Sequence, residues 1–163
     1  MIRSFINKFG SILYVQIWEN RIRVVDLKTN EVFDEKPLLQ IETGKNGSKV
    51  VTAFGNSAYI STVNPFSHPR ALLNDFYIGE RLLQLIVKKL IGKKFITSAP
   101  QIIIHPMEKT DGGLTMIEVR AFREMALGAG ASEVAIHQGK DTLELSKIIF
   151  KDLIKDDEHL VFK

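Results

Sequence analysis

Four histidines, His68, His105, His137 and His159, are the side chains best suited to move a proton or hold a metal near neutral pH. They are scattered along the chain without metal-ligand spacing, and no Ser-His-Asp order accompanies them. Each reads as a surface or strand-end residue. Asp75 and Glu124 are carboxylates of the kind that do acid–base work, but both read as capping or solvent-facing residues of helices. Gly44-Lys45-Asn46-Gly47-Ser48 has the glycines and lysine of a phosphate-cradling loop without the G-x-x-x-x-G-K-[ST] spacing, and no helix pattern follows it. It reads as a hairpin tip. The chain has no cysteine, which excludes a disulfide framework and a thiolate metal site and fits a reducing compartment.

The elements that position these residues follow from hydrophobic periodicity. Ile12 and Tyr14, then Ile22 and Val24, alternate with other residues around a break at Glu19-Asn20, which predicts a hairpin of two strands. A third strand is expected near Glu31 to Phe33. Leu38 to Ile41 and Lys49 to Phe54 flank the Gly44–Gly47 loop as another hairpin, so the early chain reads as an antiparallel meander. After Asn64 to Pro69 the period changes: Phe76, Leu82, Leu83, Leu85, Ile86 and Leu90 mark one face of a helix, capped by Asn74 or Asp75 and stopping near Gly92. Gln101 to Ile104, ending at His105-Pro106, reads as a strand buried on both faces. A helix from Thr115 to Ala129 leads to a second such run, Glu133 to Ile136, making a βαβ crossover. Leu143, Leu145, Ile148, Ile149 and Leu153 predict a last amphipathic helix.

With 163 residues and 45% apolar content the chain can bury one sizeable core. A net charge of +3 is too slight for the basic stripe of a nucleic-acid binder, and no apolar run approaches the roughly 20 residues that span a bilayer. A cytoplasmic, non-secreted protein is expected, with residues 11–163 as a single domain.

Ile117 to Val134 reads I-E-V-R-A-F-R-E-M-A-L-G-A-G-A-S-E-V. It resembles the helix before the catalytic carboxylate in the amino-terminal half of the bacterial rod-shape-determining actin homologue family (MreB). Weaker similarities run in the same order: Leu13 to Asn20 to the family's first strand and turn, Val32 to Pro37 to its V-x-N-E-P segment, and Asn74-Asp75-Phe76 to its A-D-F. The chain then stops near the midpoint of a full family member. Three antiparallel strands followed by alternating helices and parallel strands are the order of an actin-type or ribonuclease H-like subdomain. The fold expected is therefore α/β, an actin-like ATPase (ribonuclease H-like) subdomain, its mixed sheet an antiparallel meander plus βαβ units flanked by helices.

The resemblance implies a Mg-ATP cleft in the family, with D-x-G-T on the first strand and E-E-P after the later parallel strand. The matching positions here are Gln16-Ile17-Trp18-Glu19 and Gln138-Gly139-Lys140. A neutral amide replaces the aspartate, tryptophan the glycine, a repelling acid the threonine, and the water-activating glutamate is lost. Gln16 equally defeats a two-metal nuclease, which needs acidic residues there. The expectation is no enzyme, no metal and no cofactor. Trp18 is a candidate partner anchor or a turn-packing residue, and Glu108 to Gly113 a contact loop or plain surface turn.

Ile2, Phe5, Ile6 and Phe9 fall at helical spacing with Arg3 and Lys8 among them, a short amphipathic segment over residues 1–10. The resemblance implies weak contact with the inner face of the membrane; the alternative is packing onto the domain's own sheet. The expected role is a noncatalytic binding or scaffold module in cell-shape or cytoskeletal organisation, its partner an actin-like filament, a cell-shape protein or further copies of itself. The competing expectation is a nucleotide-binding ATPase that completes its site with a second chain.

Overall fold

Leu13, Val15 and Ile17 alternate with Tyr14 and Gln16 along β1 (Ile12–Trp18), and all five are buried. Such a strand must lie inside a sheet covered on both faces. The computed structural model describes residues 10–92 and 98–158, with side chains as far as Lys155. β1 is the centre of a five-stranded sheet. β2 (Arg21–Asp26) and β3 (Val32–Glu35) extend it on one side as antiparallel neighbours. β4 (Leu39–Thr43), β5 (Lys49–Phe54) and β6 (Thr62–Val63) form a separate three-stranded sheet, in the order β5-β4-β6. On the other side of β1, β7 (Gln101–Pro106) and β8 (Glu133–Ile136) add in parallel, giving the order β3-β2-β1-β7-β8.

Helices α1 (Phe76–Ile91) and α2 (Met116–Gly128) cover one face. Leu82, Leu83, Ile86 and Val87 of α1 and Phe122, Met125 and Ala126 of α2 pack on Leu13, Val15, Ile17, Ile102 and Ile104. Asp75 caps α1 by accepting from the Ile78 N–H at 3.1 Å, and Thr115 and Glu118 form a reciprocal capping box on α2. On the opposite face, α3 (Phe150–Glu158) closes a second cluster of Tyr14, Ile103, Ala135 and Phe150.

Two expectations need correction. The meander is not one sheet: the chain leaves the main sheet after Glu35, and β4 pairs with β5 and β6 instead of β3. Leu39, Ile41, Val51 and Phe54 still join the large core, so the second sheet is a flange on it. The last helix begins at Phe150, not Leu143. Leu143, Leu145 and Ile148 pack beneath the sheet from extended and 3-10 backbone, while Ile149 is 60% exposed. The amino-terminal segment with Ile2, Arg3, Phe5, Ile6, Lys8 and Phe9, and also His159, lie outside the described residues.

Candidate functional site

The carboxyl ends of β1, β7 and β8 meet where parallel strands of an open sheet ordinarily present a ligand crevice. Gln16 lies there with 1% of its surface exposed. Its position follows from register, since it pairs with Arg23 on β2 and His105 on β7. Oε1 accepts from Arg23 Nη1 at 3.2 Å, and Nε2 donates to Thr142 Oγ1 at 2.9 Å and to Met107 Sδ at 3.6 Å. Both ends of the amide are engaged by the chain itself.

A second buried connection runs beside it. The Leu143 N–H donates to Tyr14 Oη at 3.1 Å, Tyr14 Oη–H donates to His105 Nδ1 at 2.6 Å, and His105 Nε2–H donates to the Gly139 carbonyl at 2.6 Å. The carbonyl can only accept, so Nε2 carries the proton and Nδ1 receives one. Burial pushes the His105 pKa below its ordinary value, with the Gly139 carbonyl opposing and His137, its ring centroid 4.6 Å away, adding to the depression. Burial likewise raises the Tyr14 phenol, against the Leu143 N–H. Both groups are held neutral. Residues 138–143 are thereby fastened across the ends of β1 and β7.

At the β1–β2 turn, half-buried Trp18 carries the Arg21 guanidinium 4.7 Å above its ring. Arg21 also grips Asp34 through two bonds of 2.7 and 2.6 Å, which hold the Asp34 carboxyl below the usual carboxylate range. Glu19 is clasped from three sides. Its N–H donates to Glu108 Oε2 at 2.9 Å, its carbonyl accepts from Asn64 Nδ2 at 2.7 Å, and its carboxylate lies 3.7 Å from Lys109 Nζ. Lys109 Nζ also donates to the His68 carbonyl, from a backbone at φ 56° that a non-glycine residue adopts only under constraint. Gln138 Oε1 accepts from the Leu114 N–H at 2.9 Å.

Gln16, Glu19, Gln138 and Gly139 therefore converge through two loops, 107–114 and 138–143. Trp18 packs in its turn beside them. Glu108 and Lys109, from the loop read as a contact loop or surface turn, bind the chain's own Glu19. Asp75 and Glu124 do not join the site: the first caps α1 and the second is exposed on α2. The Gly44–Gly47 loop is an exposed hairpin tip on the second sheet. Among the described residues, no group of three His, Asp or Glu side chains could hold a metal ion. The Tyr14–His105 relay and the Gln16–Thr142 bond escaped the sequence reading. A buried glutamine inside an apolar strand was the available signal, because such an amide must find partners.

MreB5 of Spiroplasma citri bound to ADP superposes with a TM-score of 0.59 at 16% identity, over 80% of this chain and 39% of that one. Its AMPPNP-bound form gives a TM-score of 0.56 at 17% identity. In sequence, the cell shape-determining protein MreB of Escherichia coli (strain K12) is 26% identical over 144 residues, 82% of this chain and 40% of that protein. The chain is MreB-like in sequence and actin-like in fold. MreB of Pasteurella multocida (strain Pm70) is 28% identical over 113 residues, 63% of this chain and 30% of that protein. The chain thus spans 30–40% of the length of the MreB proteins it matches, in keeping with a resemblance to one half of them. The uncharacterized protein YjaA of Escherichia coli (strain K12) is 27% identical over 124 residues and is covered over 76% of its length. No family model matches the chain.

Proposed function

We propose that this chain is a noncatalytic MreB-like module that binds or scaffolds other proteins in cell-shape or cytoskeletal organisation. The observation that carries the reading is Gln16, whose amide stands where the resemblance expects a phosphate-site aspartate and is already engaged by Arg23, Thr142 and Met107. Mg-ATP does not fit such a site. An amide cannot supply the carboxylate charge that orients a metal's water shell, and the Glu19 carboxylate repels phosphate where the family has a hydroxyl. The partner class that follows is an actin-like filament or a protein bound to one.

A calorimetric titration of the folded full-length protein with Mg-ATP tests this. No saturable heat is expected. Saturable heat would replace the reading with that of a nucleotide-binding ATPase completing its site with a second chain. For residues 1–10 the proposal is weak, reversible contact with an anionic membrane surface, carried by Ile2, Phe5, Ile6 and Phe9 with Arg3 and Lys8.

A further inference from the structure

Leu39 and Ile41 of β4 turn into the shared core, so Gln40 between them lies on the opposite, outward face of the second sheet. It is nevertheless buried, because the connection from β5 to β6, residues 55–61, passes over it. Its Oε1 accepts from the N–H groups of Tyr59 at 3.1 Å and Ile60 at 3.2 Å, and its Nε2 donates to Thr52 Oγ1 at 3.1 Å. Two further bonds tie the start of this connection to the segment before β4. The Gly55 N–H donates to the Leu38 carbonyl and the Lys36 N–H to Asn56 Oδ1, each at 2.9 Å. At its far end Ser61 sits at φ 48°, a backbone that serine adopts only under constraint, and its carbonyl accepts from the Ile41 N–H at 3.2 Å. The connection is a wall fixed at both ends and in the middle.

Between this wall and the segment before β4 lies a cleft of about 510 Å³, lined by Lys36, Leu38, Asn56, Ala58, Tyr59 and Thr62. Its volume is that of an ordinary ligand site. Buried Ala58 and half-buried Leu38 give it an apolar lining, and the Tyr59 ring, 79% exposed, an aromatic one. Lys36, Asn56 and Thr62 are exposed. Among the described residues, Lys36 Nζ, Asn56 Nδ2 and the Thr62 and Tyr59 hydroxyls have no hydrogen-bond or ion-pair partner. Glu35, the carboxylate next in the chain, is already committed: it accepts from the Asn56 N–H at 2.9 Å and lies 3.9 Å from Lys89 Nζ. The lining therefore holds a cation and no anion. An exposed lysine is ordinarily just solvated, but this one borders a preformed apolar and aromatic cleft with no acid to neutralise it.

We propose that this cleft binds an acidic peptide segment of a partner protein, an aspartate or glutamate carboxylate pairing with Lys36 while an adjoining apolar side chain covers Leu38, Ala58 and the Tyr59 ring. Asn56 Nδ2 and the Thr62 hydroxyl are the donors left for the same carboxylate or for peptide carbonyls. The polar groups are exposed, where a single ion pair contributes little, so a small free acid gains almost nothing there. A chain that also covers the apolar lining does gain. The inference rests on the reading of this chain as a protein-binding module and gives that module its surface. It shares no residue with the surroundings of Gln16.

The test is an NMR titration of the isotope-labelled full chain with the capped dipeptide of phenylalanine and glutamate, and with its glutamine counterpart of the same shape. Saturable shifts are expected at the amides of Asn56, Ala58, Tyr59 and Thr62, with a dissociation constant on the order of millimolar for so small a probe. The glutamine peptide should bind about two- to fivefold more weakly. Lys36→Gln should erase that difference, and Tyr59→Ala should weaken both peptides; the variants' own spectra show that they are folded. Acetate, a carboxylate without an apolar body, should give no saturable shift at the same concentrations. Absence of saturable shifts with the glutamate peptide about tenfold above the expected constant would overturn the proposal. So would equal binding of the two peptides, an equal response to acetate, or a Lys36→Gln variant that still prefers glutamate. Those results strike the cleft alone, since the module reading is decided by the Mg-ATP titration.

Discussion

His105 accepts from Tyr14 and donates to the Gly139 carbonyl, and the bond accepted at Nδ1 requires a neutral ring. Protonation would place a hydrogen on Nδ1, forcing Tyr14 to give up its donor role while Leu143 still donates to the same oxygen. The folded pKa is depressed below the ordinary 6.5. The unfolded chain therefore binds a proton at higher pH than the folded one. The stabilisation is complete above about pH 6.5 and is lost as pH falls from there toward the depressed folded value. Urea unfolding between pH 7.5 and 5 should show the loss, and His105→Gln should flatten that slope; an unchanged slope would refute the assignment. The charged and titratable groups around the relay are Arg23 across β1, His137 on the far side of His105 and Tyr14 itself, so the variant comparison isolates His105 from them. In the sequence, His105 read as a strand-end residue. Its partners lie 34 and 91 positions away, beyond the reach of any local pattern.

Among the elements, α1, α2 and the strands of the main sheet were legible because each obeys one period and carries its own stop signals. Asp75, Gly92 and the Thr115-x-x-Glu118 box mark helix ends by local hydrogen bonding alone. The departure of β4 was not legible. Leu38 to Ile41 has the alternation of a strand in either sheet, and only tertiary packing selects β5 and β6 as its partners. The start of α3 was missed for a related reason. Leu143, Leu145 and Ile148 are apolar because they cover the Tyr14 face, and burial in extended backbone imitates helical spacing. Leu39, with no exposed surface, ties β4 to the main core. Leu39→Ala should cost about 2–5 kcal/mol. If the second sheet is a flange on a shared core, the loss will appear in the global unfolding transition. A separate early transition with the main one unmoved would show instead that the flange melts independently.

At the scale of the molecule, both faces of the main sheet are covered, and two loops, 107–114 and 138–143, are bonded to the carboxyl ends of its central strands. The described residues include no helix long and apolar enough to cross a membrane, and the membrane contact proposed above is assigned to residues 1–10. Inserted apolar side chains contribute on the order of 1–2 kcal/mol each and basic residues about 1 kcal/mol near anionic lipid, less the cost of ordering the segment. Sedimentation with anionic liposomes should therefore capture the full chain weakly and the chain lacking residues 1–9 less. Equal capture of the two would remove the membrane proposal.

By itself the sequence determined the class of fold and the two long helices, because periodicity and capping are local properties of the chain. Tertiary structure alone decided that β4 to β6 leave the main sheet, that Gln16 is sealed by Thr142 and Arg23, and that Tyr14 and His105 hold residues 139–143 in place. These depend on which buried polar groups meet. Burial removes water as their partner and compels them to find one another across the fold.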